Sequence, residues 1–161
     1  MRNSVKTYGP VILMVFAALL LFHSLSQTSN SGQTAVKKEV ILMPGAKPSD
    51  LPFSPAVKYG NLLFLSGAIG MDPKTNELVS PDVGEQTKQC LERLGKILQQ
   101  GGMDFSDAVR CTVYLTDIKD YAEMNKAYAA YFSENPPSRA CVQVAGLVRG
   151  AKVEISMIAA K

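Results

Sequence analysis

The stretch "AVRCTVYLTDIKDYAEMNKAYAAYFSENPPSRACVQVAGL", residues 108–147, decides the fold because its hydrophobic period changes twice. It opens with apolar and polar residues in alternation, as in a half-buried β-strand. The side chains expected on the buried face are Val109, Cys111, Val113 and Leu115, and those on the other face are Arg110, Thr112 and Tyr114. A helix then starts near Asp120 and is ended by the prolines at 136 and 137. Its apolar stripe comprises Tyr121, Met124, Tyr128, Tyr131 and Phe132. Because "RACVQVAGL" has the composition of a strand, the stretch predicts strand, helix, strand.

The flanking segments extend this pattern on both sides. "AVKYGNLLFLSGAI" predicts two strands around a turn at Gly60 and Asn61, and "MDPKTNEL" predicts a further turn. A long helix is expected to start at Asp82, with Glu85 completing a capping box, and to end at Gly101. "AKVEISMIAA" predicts a last strand. The order strand, strand, helix, strand, helix, strand, strand indicates an α+β sheet with both helices on one face.

The face of the sheet away from the helices has a mixed composition. In the last strand, Val153, Ile155 and Met157 are expected to meet the helices. The side chains on the opposite face are Lys152, Glu154, Ser156 and Ile158. Such a face suits neither bulk water nor a core, so we expect a symmetric oligomer that buries it and leaves charged groups in clefts. A simply solvated face is the alternative.

Charge and composition exclude several functional classes. The chain has 161 residues, 47% of them hydrophobic, and a net charge of +3. Four basic residues precede residue 40 and are opposed by Glu39 alone, whereas 13 basic and 13 acidic residues follow. The folded part is therefore near neutral and lacks the basic footprint of a nucleic-acid-binding protein. The single histidine, His23, lies outside this part, so no imidazole is available there as a catalytic base.

The cysteines point to no metal centre. Cys90, Cys111 and Cys141 are far apart, odd in number and without the short spacing of zinc ligands. Buried free thiols are the simplest interpretation.

The N-terminal segment has the pattern of a targeting sequence. Arg2 and Lys6 precede an apolar run from residue 11 to residue 22, the length of a signal-peptide core and short for a spanning helix. Residues 1–26 are predicted to be a signal anchor or a cleaved export signal, and 27–39 a flexible tether. The folded domain is expected at 40–161, membrane-anchored or exported, with membrane contact through the N-terminal segment only.

The ordered motifs "GNLLFLSGAIGMDPKTNELV", "CTVYLTDIKDYAEMNKAYAAYF", "PPSRACVQVAGL" and "AKVEISMIAA" resemble the RidA family, also called YjgF/YER057c/UK114. The resemblance runs from about residue 40 to the end of the chain. It implies a chorismate-mutase-like α+β fold and a homotrimer with ligand clefts between subunits. It further implies hydrolysis of reactive 2-enamine and 2-imine acids to 2-keto acids and ammonia, without a cofactor or a metal.

The resemblance also implies the site residues. Arg139, in "PPSRA", corresponds to the arginine that binds the substrate carboxylate, and a guanidinium suits that group because it offers two parallel hydrogen bonds. Glu154 corresponds to the acidic residue that positions or activates water. The other residues expected to line the pocket are Ser66, Gly67, Phe53, Asn125 and Cys141. We expect Arg139 and Glu154 to share one face of adjacent strands. A structural ion pair of Arg139 with Glu154 or Asp117 is the alternative.

Three positions depart from the family pattern. Phe53, in "LPFSP", lacks the tyrosine hydroxyl of many members, Ser156 replaces a second acid, and Gly70 replaces a common proline. These departures leave a second functional hypothesis open, a non-catalytic module that binds carboxylated metabolites. A third hypothesis, RNA cleavage, is disfavoured by the near-neutral charge, and no nucleic-acid partner is expected.

Overall fold

The computed structural model describes residues 36–45 and 52–161. Within these two ranges the chain forms six strands, two α-helices and three short 3₁₀ turns. The strands are β1 (Lys38–Ile41), β2 (Ala56–Tyr59), β3 (Leu62–Ile69), β4 (Ala108–Leu115), β5 (Ser138–Gln143) and β6 (Val153–Ala160). The helices are α1 (Val83–Gln100) and α2 (Tyr121–Ala129). The predicted segment 1–26 and most of the predicted tether lie outside the described residues. Lys38 and Glu39, at the end of that tether, are the first residues of β1.

The strands form a single mixed sheet in the order β1-β2-β3-β6-β4-β5. Neighbouring strands are antiparallel except β4 and β5, which are parallel and are connected through α2. The C-terminal strand β6 therefore lies in the middle of the sheet, between β3 and β4. Consequently β5 is an edge strand that does not touch β6.

The core lies between the helices and one face of this sheet. In β6, Val153, Ile155, Met157 and Ala159 are each at most 2% exposed, and the residues between them are half-buried. The predicted division of this strand into two faces is thus confirmed. The helix α1 begins after Asp82, whose carboxylate accepts a hydrogen bond from the Glu85 N–H at 2.9 Å. It contributes a continuous apolar face consisting of Cys90, Leu91, Leu94, Ile97 and Leu98.

The predicted face of Val109 is wrong, because β4 contains a bulge. The pairing of β4 with β6 shifts between Ala108 and Arg110. One extra residue reverses the alternation at that point. Ala108 is therefore buried, whereas Val109 is 46% exposed.

The helix α2 is shorter than predicted. It ends at Ala129, well before the two prolines, and Asp120 forms no side-chain cap. Met124, Tyr128 and Phe132 are buried as expected, but Tyr121 is 43% exposed and faces β5 instead of the core. The prolines instead shape the loop that enters β5.

The prediction of a membrane-anchored or exported protein is contradicted. Among residues 36–45 and 52–161, no helix combines the length and the apolarity that crossing a bilayer requires.

Gly70 is required by close packing, which predicts a sensitive position. A Cβ atom there would lie 2.6 Å from the Gln86 Cα, so the backbone of α1 would have to move. We expect Gly70→Ala to lower the free energy of unfolding by about 1–3 kcal/mol, as overpacking does. Urea denaturation measures this value. Gly146→Ala is the matched control, because nothing lies within 4 Å of a Cβ at that position. Equal stability of the two variants would contradict the prediction.

Candidate active site

Arg139 lies at the edge of the sheet, on the side of the helices. It pairs in register with Cys111, which is completely buried under the helices, so both side chains point toward them. Its Nη2 donates to Asn125 Oδ1 at 2.6 Å and to Tyr121 Oη at 3.3 Å. Its guanidinium carbon lies 4.6 Å from the centre of the Tyr128 ring, a cation–π distance. About two turns of α2, from Tyr121 to Tyr128, therefore surround the guanidinium with neutral side chains.

Arg139 forms no ion pair within the described part of the chain. The expected alternative, a structural pair with Glu154 or Asp117, is absent from the contacts of residues 36–45 and 52–161. The Asp117 carboxylate instead accepts a hydrogen bond from the Lys119 N–H at 2.9 Å. A half-buried cation without a counter-ion is costly, and it is suited to an anionic ligand.

A cleft opens beside the guanidinium. Its volume is about 410 Å³, and the residues that line it are Asn125, Tyr128, Ala129, Phe132, Pro136, Pro137 and Arg139. The prolines and aromatic rings form apolar walls around one charged group. This composition favours a small ligand that carries an acid group.

Two titratable groups near Arg139, Tyr128 and Cys141, are held neutral by burial. Burial raises the pKa of the Tyr128 hydroxyl, and the Cys111 thiol beside it raises that pKa further. The Tyr128 hydroxyl is buried and has no hydrogen-bond partner among the described residues. Burial also raises the pKa of the half-buried Cys141 thiol, although the Arg139 charge opposes the rise. Arg139 therefore supplies the only net charge among these side chains.

Glu154 belongs to a second group of predicted residues, on the opposite face of the sheet. Its side chain packs over Gly67, where a Cβ would lie 2.7 Å from the carboxyl carbon. Neighbouring Ser66 donates its hydroxyl to the Ser54 carbonyl at 2.7 Å, so its donor is already used. Phe53 is 58% exposed on the adjoining loop.

The expectation that Arg139 and Glu154 share one face of adjacent strands is wrong. The strand β4 separates β5 from β6. Glu154 pairs with Tyr114, whereas Arg139 pairs with Cys111, and residues 111 and 114 of one strand point to opposite faces. Within one chain the structure thus brings Arg139, Asn125 and Cys141 together, and separately Glu154, Gly67 and Ser66.

Sequence reasoning missed Tyr121 and Tyr128 as neighbours of the arginine. Both were assigned to the apolar stripe of α2. Their spacing from Asn125, four residues before it and three after it, places all three on one helical face. That shared face was the available signal.

The chain folds as a small α+β protein. Its mixed sheet is backed by two helices and carries an arginine-centred cleft at the edge where two strands are parallel. A family model described as Endoribonuclease L-PSP matches residues 44–161. The chain belongs to this family, the RidA (YjgF/YER057c/UK114) family that its motifs resemble.

Relatives and solved structures agree with this membership. The Reactive Intermediate Deaminase A, chloroplastic, of Arabidopsis thaliana is 43% identical over 138 residues, covering 86% of this chain and 72% of the relative. The 2-iminobutanoate/2-iminopropanoate deaminase of Homo sapiens is 44% identical over 108 residues, covering 67% and 79%. The crystal structure of E. coli TdcF with bound serine has a TM-score of 0.71 and 33% identity, covering 76% of this chain and 98% of TdcF.

Proposed function

We propose that this protein is a hydrolytic deaminase that converts reactive 2-enamine and 2-imine acids into 2-keto acids and ammonia. The observation that carries the proposal is the half-buried Arg139 guanidinium, held by neutral partners at the wall of a small cleft. Deaminase names on relatives more than 40% identical support the same reaction. Bound serine in TdcF supports a ligand with a carboxylate.

The proposed reaction has three steps: binding of the substrate carboxylate, attack by water, and loss of ammonia. Arg139 binds the substrate carboxylate and so fixes the neighbouring C=N carbon. Glu154 takes a proton from water while the water oxygen bonds to that carbon and the C=N electrons move to nitrogen. The nitrogen then receives the proton held by Glu154 and the proton of the new hydroxyl, so ammonia leaves while the hydroxyl oxygen becomes the keto oxygen. The substrate is already electrophilic, so no cofactor is required, and general-base help of about 10²–10⁴-fold is the expected contribution of Glu154.

A site that uses both residues must combine two protomers. Because Arg139 and Glu154 lie on opposite faces of the sheet, a cleft between subunits is the arrangement that brings them together. The uncovered face supports such an assembly. Val40, Val57, Phe64 and Ile158 lie side by side across four strands of that face, and Val40 and Phe64 are 47% and 42% exposed. An exposed apolar row of this kind favours burial against other copies, and we propose a homotrimer.

The test is a coupled assay with freshly generated 2-aminoacrylate or 2-iminobutanoate. The full chain is expected to release ammonia and 2-keto acid above the spontaneous rate. Binding of 2-ketobutyrate without any acceleration of hydrolysis would contradict the deaminase and favour the carboxylate-binding module, which the Phe53 and Ser156 departures support.

Ribonuclease activity, which the family name Endoribonuclease L-PSP suggests, is disfavoured by the composition of this chain. The near-neutral charge of residues 40–161 and the position of the single histidine at 23 argue against it. Salt-dependent RNA binding by the purified protein would contradict this choice.

A substitution at Gly67 tests whether Glu154 acts on the attacking water, and it does so without changing any charge. In Gly67→Ala the new Cβ would lie 3.0 Å from the Glu154 Cγ and closer to the carboxyl carbon, so the carboxylate must move. We expect kcat to fall by about 10- to 100-fold, since small displacements of reacting groups have effects of that size. Stability is expected to change little, because a flexible side chain gives way. Wild-type kcat in a folded Gly67→Ala protein would contradict a catalytic position for Glu154, and Gly146→Ala is the control.

A further inference from the structure

Tyr121 places a phenol hydroxyl against the guanidinium that the proposed function assigns to the substrate carboxylate. It is the first residue of α2, is 43% exposed, and its oxygen lies 3.3 Å from Arg139 Nη2. Its ring centre lies 5.8 Å from the guanidinium carbon. No step of the proposed hydrolysis uses this hydroxyl.

The hydrogen-bond pattern leaves the Tyr121 proton available. The phenol oxygen accepts from Arg139, and hydrogen bonding by Asn125, followed by that of Arg139, lowers the pKa of Tyr121. The Asn125 carbonyl accepts from the same Arg139 nitrogen, so the guanidinium is held between these two oxygens. A phenol that accepts one hydrogen bond in this way still carries a hydrogen that it can donate to a third group.

The other hydroxyls and thiols near the cleft are less suited to donate a proton. Burial raises the pKa values of Tyr128 and Cys141. Ser66 lies with Glu154, and its hydrogen is committed to the Ser54 carbonyl. Phe53, on the same loop as Ser54, has no hydroxyl.

We propose that Tyr121 is the general acid of the reaction, donating its proton to the substrate nitrogen while Arg139 holds the carboxylate. This inference rests on the proposed deaminase function. The nitrogen is bonded to the carbon next to the carboxylate, and Tyr121, which borders the guanidinium and not the cleft wall, is the hydroxyl placed to reach it. Tyr121 would therefore touch the reacting atoms.

The proton balance of the step is closed. As the water oxygen bonds to the C=N carbon, the π-electron pair moves to nitrogen and takes the Tyr121 proton, while Glu154 takes a proton from the water. Transfer of that second proton to nitrogen breaks the C–N bond and releases ammonia. The carbinolamine hydroxyl returns its proton to the Tyr121 phenolate as the C=O bond forms. Nothing is oxidised or reduced, and both side chains end in their starting state.

The test compares Tyr121→Phe with Tyr131→Phe in the full chain. Both variants keep the ring and lose one hydroxyl, and the Tyr131 hydroxyl donates to the Lys88 carbonyl at 3.4 Å, away from Arg139. We expect kcat for 2-iminobutanoate to fall by about 100-fold or more in Tyr121→Phe, the size of general-acid help. Tyr131→Phe is expected to keep wild-type kcat. Affinity for 2-ketobutyrate, which needs no proton donor, is expected to be unchanged in both variants.

Two results would overturn the inference while leaving the deaminase in place. One is wild-type kcat in Tyr121→Phe when Arg139→Ala is inactive. The other is a loss of kcat matched by an equal loss of 2-ketobutyrate affinity, which would show that Tyr121 only orients Arg139. If the wild-type chain itself does not accelerate hydrolysis, the proposed function fails and this inference fails with it.

Discussion

Arg139→Ala is expected to weaken 2-ketobutyrate binding by about 10- to 150-fold, the equivalent of the ~1.5–3 kcal/mol of a hydrogen bond to a charged group. Among the described residues that line the cleft, the guanidinium is the only charged group, and its hydrogen-bond partners Asn125 and Tyr121 are neutral. Nothing in the cleft wall could replace it. We expect kcat/KM for 2-iminobutanoate to fall by at least the same factor, because the carboxylate also orients the C=N carbon. Isothermal titration and the coupled assay measure the two effects.

Two variants make this result specific. Arg139→Lys keeps the charge but loses the planar pair of donors, so an intermediate loss is expected. Arg149→Gly removes a positive charge from an exposed loop where the backbone has φ 58°, a conformation that suits glycine. It is expected to bind and react like the wild type. Unchanged affinity in a folded Arg139→Ala protein would remove the anion site and the mechanism built on it.

Glu154→Gln is expected to lower kcat by about 10²–10⁴-fold, the usual range for a lost general base. The amide keeps the shape of the side chain over Gly67 but cannot take a proton from water. Because Glu154 does not contact Arg139 within a protomer, 2-ketobutyrate affinity is expected to change much less than in Arg139→Ala. Glu92→Gln, on the exposed side of α1, is the matched control and is expected to keep wild-type kcat.

Mixing the two inactive variants tests whether the site spans two subunits. Glu154→Gln protomers retain Arg139, and Arg139→Ala protomers retain Glu154. Co-refolded mixed oligomers therefore contain interfaces with both native groups, and we expect activity to return. Mixed oligomers that form but stay as inactive as either parent would show that both groups act within one chain, against the geometry of the sheet.

The local elements followed from the sequence to a large extent. The turn that "MDPKTNEL" predicts is present, with Asn76 at φ 60°, and Asp82 caps α1 as expected. These features depend on residues within a few positions of one another. Val109 was misplaced because a bulge depends on the partner strand, and a single chain segment does not reveal it.

The candidate site was predicted only residue by residue. Arg139, Asn125 and Cys141 do lie together, but the apolar stripe of α2 predicts Tyr121 in the core, whereas it faces the guanidinium. Its exposure depends on where α2 crosses the edge of the sheet, a long-range property. The pairing of strands is a long-range property too, and it decides the face of the sheet on which Arg139 and Glu154 each lie.

Apart from β1, which the predicted tether overlaps, the sequence by itself determined the order of strands and helices and the buried face of β6. Hydrophobic period and turn chemistry act over a few residues, which is why these features could be predicted. The sequence also determined the family, through motifs in a fixed order. Only the tertiary structure decided that β4 lies between β5 and β6, and hence that Arg139 and Glu154 occupy opposite faces. The physical reason is that strand pairing joins residues far apart in the chain, and a period of two fixes which residues share a face but not which neighbour that face meets.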